Sequence, residues 1–322
     1  MAVTPVTSPA RRSSDLVPSL WVVSGAACIS ASAMFVKLAG ANAATSALLR
    51  CAIALLVLVP LAGYELRRRG PLERRLVWSG VASGVFLGLD YLMWSVSIFD
   101  VGAAIATVLV NVQVIVFPVI ARLAGGVPLS RRFLLVSPVM LGGVALASGA
   151  FGGASGVGHP VRGAVLGVAA GVAYAAFLYL NRHSGERSPG HTVTPVCLAT
   201  AAAGATAAVV GPFTSGIDLR LAAAAWGWLT VLALVGQVLA WLLISVGARR
   251  LPPHATGGLL LLQPVLAVGF GVLVLREDPT PPQLLGCAGV ALGVWLANRA
   301  PRTRASVSGV RKSTFRPTAP GR

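Results

Sequence analysis

Among the ionisable and amide side chains inside long apolar stretches of this sequence, five stand out: Lys37, Arg50, Asp90, Gln113 and Gln263. An amide in hydrocarbon must find a partner within the protein, because lipid offers none. Gln113 and Gln263 fall near the middle of their stretches. Each is expected either as a hydrogen-bonding group on a substrate pathway or as interhelical glue worth about 0.6 kcal/mol. Gln263 precedes Pro264, whose missing N–H leaves the Leu260 carbonyl without its helical donor, and a free carbonyl beside an amide can contact a substrate. Asp90, if ionised, must pair, exchange protons or face water. It is expected as a proton-coupling group or as a structural partner for Arg50 or Lys37. Arg50, between Leu49 and Cys51, can hold a substrate carboxylate or phosphate. It can also snorkel to the head groups, the simpler expectation for Lys37. His254, after Pro252 and Pro253, reads as a loop residue or a pH gate.

Aromatic residues add a second kind of surface. Trp94 follows Asp90 by one helical turn and shares its face. Tyr91, Trp94 and Trp241 would suit apolar or amphipathic substrates if they line a cavity. The alternative is an interfacial belt, the expectation for Trp21, Trp78 and Trp295.

Catalytic patterns are missing from the sequence. There are four histidines, no HExxH, no Ser/His/Asp set, and no glycine-rich loop followed by Lys-Ser/Thr at phosphate-binding spacing. Cys28, Cys51, Cys197 and Cys287 all lie in apolar runs without a CxxC or Cys/His cluster, so no metal, cofactor or disulfide framework is expected. An integral-membrane enzyme is the remote alternative, and a purely structural membrane protein is disfavoured by polar groups at the middle of both halves.

The elements that position these residues follow from composition. Of 322 residues, 56% are hydrophobic and 11% are charged. That is too few charges to cover a soluble protein, which uses about 25%. Apolar runs recur at about 18 to 22 residues, each long enough to cross a hydrocarbon core of about 30 Å. Ten spans are predicted, over 20–39, 43–63, 77–98, 101–123, 133–151, 163–181, 192–212, 226–247, 254–275 and 283–299. Phe99, Asp100 and Val101 are expected as a very short turn between the third and fourth. The fold class is all-α integral membrane. Glycine recurs every fourth residue at Gly80, Gly84 and Gly88, and again at Gly163, Gly167 and Gly171, which predicts close helix–helix approach.

Charge orients the spans. With both termini cytoplasmic, 21 of the 26 basic residues fall on cytoplasmic segments or tails, including 64–76 and 182–191. The loops 152–161 and 276–282 are placed outside. This is the positive-inside pattern, so the net charge of +17 is assigned to orientation and anionic lipid rather than to nucleic acid. The tails, 1–19 and 300–322, are polar, rich in Ser, Thr, Pro and Arg, and are expected to be disordered.

Sliding the chain by 150 residues aligns 88–147 with 238–297. Leu92 then meets Leu242, Ser95 meets Ser245, Tyr91 meets Trp241 and Gln113 meets Gln263. Two halves, 20–151 and 163–299, each hold five spans. An odd number inverts the second half relative to the first, the architecture of an alternating-access carrier.

Each half resembles the EamA-type repeat of the drug/metabolite transporter superfamily. In the first half the likeness lies in Met34-Phe35-Val36-Lys37, Leu49-Arg50-Cys51-Ala52 and Gly88-Leu89-Asp90-Tyr91-Leu92-Met93-Trp94. In the second it lies in Arg249-Arg250-Leu251-Pro252, Leu260-Leu261-Leu262-Gln263-Pro264 and the hairpin Arg276-Glu277-Asp278-Pro279-Thr280-Pro281-Pro282-Gln283-Leu284-Leu285-Gly286. The first-half hairpin, Gly125 to Ser130, lacks the acidic residue, Asp90 replaces a neutral polar residue, and Gln263 replaces a frequent glutamate. The resemblance implies ten helices around a central cavity and the export of a small metabolite across the cytoplasmic membrane. An exchanger or importer of organic anions, of the nucleotide-sugar type, is the alternative. Expected partners are a small-molecule substrate, membrane lipids and protons as coupling ion, with no nucleic acid; a homodimer is left open.

Overall fold

The computed structural model describes residues 16–125, 159–251 except 189 and 249, and 259–298 except 261, together with parts of 135–146. The expectations for residues 1–15, the C-terminal tail, His254, the hairpin from Gly126 to Ser130 and most of the loop 152–161 lie outside these residues, as does most of the fifth span; residues 16–19, expected in the N-terminal tail, are instead helical. Among the described residues the structure is helical, without strands.

Helix α1 runs Leu16–Ala39, α2 Ala43–Arg69 and α3 Arg74–Val101. Turn chemistry fixes each boundary. Gly40 adopts φ +62° after α1, a left-handed conformation that costs glycine nothing. Asn42 then opens α2 by accepting the Thr45 N–H on its side-chain oxygen at 2.8 Å. The expected turn at Phe99–Val101 is absent, because α3 continues through Val101 and the chain reverses on one residue, Gly102, at φ +90°.

The fourth span is broken. Helix α4 covers Ala103–Val110 and α5 covers Gln113–Gly125, with a turn at Asn111 and Val112 between them. Beyond the fifth span come α6 (Pro160–Arg187) and α7 (Val193–Val210). The eighth span is α8 (Ala223–Val231), a π-helical stretch Leu232–Leu239, and α9 (Ala240–Ala248). Helices α10 (Leu262–Leu273) and α11 (Pro281–Asn298) complete the described fold.

Seven helical segments are long and apolar enough to cross a membrane: Leu16–Ala39, Ala43–Arg69, Arg74–Val101, Ile105–Ala124, Pro160–Ser184, Val193–Phe213 and Ala223–Gly247. They correspond to the first four and the sixth to eighth predicted spans.

The halves interleave. Helix α3 packs along α6 and α7, α2 along α7, and α1 along α9 and α10. Both glycine stripes are the contact faces. A methyl at Gly88 would sit 2.7 Å from Thr206 Cβ and 2.8 Å from the Ala203 carbonyl oxygen, and one at Gly84 would overlap Ala199. On α6, Gly163 abuts Asp100 and Gly171 abuts Val110 and Val112. Where no hydrophobic force separates helix from lipid, such close approach supplies the dispersion contacts that hold them.

Polar clasps join the halves at both ends of the bundle. At the end bearing Gly40 and Gly102, Arg162 grips Asp100 with two 2.8 Å hydrogen bonds. Lys37 pairs with Glu277 at 2.6 Å, so it does not reach free into the head groups as its position suggests. At the opposite end Glu65 accepts the N–H groups of Thr192, Val193 and Thr194 at 2.7 to 3.2 Å.

Candidate functional site

Between these ends a buried polar network spans four helical segments. Arg50, on the second turn of α2, is 4% exposed. Its Nε donates to Gln237 Oε1 at 3.1 Å, and its Nη2 donates to the Gly236 carbonyl at 3.1 Å. The guanidinium carbon lies 4.0 Å from the Tyr91 ring centroid, a cation–π contact strengthened by exclusion of water. The Tyr91 hydroxyl donates to the same Gln237 Oε1. Gln237 Nε2 in turn donates to Thr200 Oγ1 at 2.9 Å. One fully buried amide thus joins α2, α3 and α7 to the eighth span.

Gln237 sits in the π-helical stretch, whose wide turns recur at functional sites. The residue before it must be small: a methyl on Gly236 would collide with Ser32 of α1.

Asp90 adjoins Tyr91 on α3, and among the described residues no ion pair joins it to Arg50. The expected structural pairing with Lys37 is also absent, since that lysine is held by Glu277. Among the described residues, the buried side-chain polar atoms without a hydrogen-bond partner are Asp90 Oδ1, Trp94 Nε1, Gln113 Oε1 and Trp241 Nε1. All four belong to residues expected on the pathway. Buried polar groups are nearly always satisfied within a protein, so each of these four atoms is an exception that calls for a reason.

A cavity of about 10 Å³, one water position, opens beside the network and is lined in part by Leu87, Phe177, Asn181, Thr200, Gln237 and Trp241. Trp241 meets Phe177 edge to face at 5.2 Å, and Phe177 stacks on Tyr174 at 5.9 Å. Arg50, Asp90, Tyr91 and Trp241 are therefore brought together. Trp94 belongs to the adjoining apolar cluster with Phe35, Leu49, Ile98 and Leu109. Gln113 opens α5 directly after the break, 8% exposed, and Gln263 lies at the start of α10, 7% exposed. The Gln263 main-chain carbonyl accepts from Ser30 Oγ at 3.1 Å. Neither glutamine shares a hydrogen bond with the network.

Gln237 and Thr200 are the residues that sequence reasoning missed. The chain has four glutamines, and Gln237 lies in an apolar run as Gln113 and Gln263 do. The same scarcity argument would have found it. The internal repeat hid it, because the 150-residue offset pairs Gln237 with Leu87, a residue without polar atoms.

A helical bundle with multiple apolar spans and a charged, amide-centred network in its interior is a multi-pass membrane protein. The EamA-like transporter family model matches residues 17–149 and 161–299, and the chain belongs to that family, as two repeats of it. It is a membrane transporter of the drug/metabolite type. The fold is also similar to a solved structure described as "Crystal structure of protein". That likeness has a TM-score of 0.60 and 18% identity, covering 90% of this chain and 99% of the other. No curated protein matches the chain.

Proposed function

We propose that the chain is a ten-helix secondary carrier of the cell membrane, two inverted five-helix halves with both termini cytoplasmic, that exports a small polar metabolite. The observation that carries this is the Arg50–Gln237–Tyr91–Thr200 network beside the partnerless Oδ1 of Asp90, with Trp241 against the same cavity. A merely structural core would satisfy that atom with a protein partner. Substrate groups would complete its bonding, with Arg50 and Gln237 fixing orientation and Trp94 and Gln113 extending the path. Asp90 would carry the coupling proton, since it holds no fixed cationic partner.

A second reading, the exchange of organic anions, has its own support. The Arg50 guanidinium is bonded to neutral acceptors only, a carbonyl and an amide, so its charge is available to an anion. Lys37 cannot share that task while Glu277 holds it.

Everted vesicles test both. Accumulation of neutral, zwitterionic and anionic metabolites would be measured with and without an imposed pH gradient. Gradient-driven uptake supports the proton-coupled exporter, and anion counterflow without a gradient supports the exchanger. Vesicles with the protein that match empty ones for every class would remove the carrier reading.

A further inference from the structure

Two carboxylates lie at opposite ends of the bundle, and each reaches from one half of the chain to a helix start in the other. Glu277, in the stretch between α10 and α11, accepts the Ala103 N–H at the first residue of α4 at 2.8 Å. The same oxygen takes the Lys37 ammonium at the end of α1. Glu65, near the end of α2, accepts the N–H groups of Thr192, Val193 and Thr194 and the Thr194 hydroxyl, closing the start of α7. Carboxylates bound to helix N-termini gain from exposed N–H groups and from the helix dipole.

The surroundings of each carboxylate match a joint that opens. Glu277 abuts Gly102, where a Cβ would stand 3.3 Å from its Oε1 and where φ is +90°. Gly102 is the whole connection between α3 and α4, and α4 ends two turns later at Asn111–Val112, directly before Gln113. Helix α4 is thus an eight-residue segment between two changes of chain direction, fastened at its outer end by Glu277 and followed at the other by Gln113. Around Glu65, Arg69 donates to the Gly190 carbonyl, and His191 reaches the Gly70 carbonyl at 3.1 Å. That second clasp joins the turns before α3 and α7.

We propose that Glu277 and Glu65 are reciprocal latches, one at each face, whose alternate release exposes the midmembrane residues first to one side and then to the other. Both are fastened in this structure, and the cavity beside Gln237 holds one water position, as an occluded state requires. The latches rest on the carrier reading. Each exchanges a cap across the halves for water when its side opens, so neither needs to break while the other does.

The test uses a background in which Cys28, Cys51, Cys197 and Cys287 are alanine and Gln113→Cys is the reporter. A membrane-impermeant thiol reagent is applied to intact cells for the outer face and to everted vesicles for the inner face. Glu277→Gln is expected to raise the outer-face labelling rate about tenfold, a population shift equivalent to about 1.4 kcal/mol. Glu65→Gln is expected to raise the inner-face rate by a similar factor. Unchanged rates in both, in proteins that melt as the parent does, would overturn the proposal and leave two static caps. Should Glu65→Gln fail to fold, Glu65→Asp, whose shorter side chain falls short of the α7 N–H groups, replaces it with the same inner-face increase expected; should Glu277→Gln fail, the pair Lys37→Cys and Glu277→Cys replaces it. Oxidation is then expected to stop transport until a reductant is added, and full transport by the cross-linked protein overturns the outer latch. Transport is measured separately in the cysteine-free chain with Gln113 intact, and labelling that shifts while that chain moves no solute would retain the latches and reject the carrier reading, so the two failures separate.

Discussion

Arg50 Nε donates to Gln237 Oε1 at 3.1 Å, so the guanidinium of one half is held by an amide of the other, 187 residues later. The geometry makes the charge usable. A carboxylate partner would neutralise the guanidinium and hold it, whereas a neutral amide orients it at little cost and leaves its field intact. The ring of Tyr91 completes the enclosure from α3. Network, charge and π-helical turn are therefore one device, in which the second half positions a cation that the first half supplies.

Gln237 can be tested with two substitutions of different sign. Gln237→Leu leaves Arg50 Nε, the Tyr91 hydroxyl and the Thr200 hydroxyl without their partner, at about 1–3 kcal/mol for each unsatisfied group. Lowered thermal stability and lost transport are expected together. Gln237→Glu keeps the acceptors and adds an anion beside Arg50. It should fold well and still lose transport by about tenfold or more, because the charge offered to substrate is neutralised. Near-normal transport by Gln237→Glu would show that Arg50 serves structure alone.

The glycine stripes predict where bulk is intolerable. Gly84→Leu places a side chain against the backbone of α7 at Ala199, and overpacking of that kind costs about 1–3 kcal/mol. Gly63→Leu, where a Cβ would meet nothing within 4 Å, is the control. Melting in detergent should fall for Gly84→Leu and hold for Gly63→Leu. Equal melting of the two would contradict the α3–α7 contact.

How much of this was legible beforehand depended on the length over which a signal acts. Seven of the ten predicted spans were readable because twenty apolar residues are a strong, local pattern, and the glycine stripes because a repeat of four is local too. Asp90, Arg50, Tyr91 and Trp241 stood out by polarity or size against an apolar background. Their assembly around Gln237 did not, since the bonds run between positions 50, 91, 200 and 237 and no spacing encodes them. The break at Asn111–Val112 was equally hidden, because Val108, Leu109, Val110, Val112 and Val114 read as continuous apolar helix. Lys37 misled for the opposite reason. Its place at a helix end suggested snorkelling, and its partner Glu277 is 240 residues away.

Topology makes a prediction that is independent of the site. Basic residues crowd the turn after α2, with Arg67, Arg68, Arg69, Arg74 and Arg75, and the positive-inside rule assigns such a turn to the cytoplasm. A cysteine placed at Gly70 in a cysteine-free background should react with an impermeant reagent in everted vesicles and not in intact cells. Reaction in intact cells would invert the model, and with it the faces assigned to Glu277 and Glu65.

Asp90 separates coupling from structure. The carboxylate is 5% exposed, its Oδ1 has no hydrogen-bond partner, and neither Arg50 nor Lys37 pairs with it. A buried carboxylate with no cationic partner is tolerated only if it can take up a proton, and that exchange is what coupling requires. Asp90→Asn mimics the protonated group and keeps its shape. It should therefore fold as well as the parent, keep substrate exchange, and lose accumulation driven by a pH gradient. If Asp90 instead stabilised Arg50 through its field, Asp90→Asn would melt lower, and Arg50→Gln in the same chain would recover the loss. Gradient-driven accumulation at the parent rate in a well-folded Asp90→Asn protein would remove both roles, and the coupling site would then have to be sought away from the Arg50–Gln237 network.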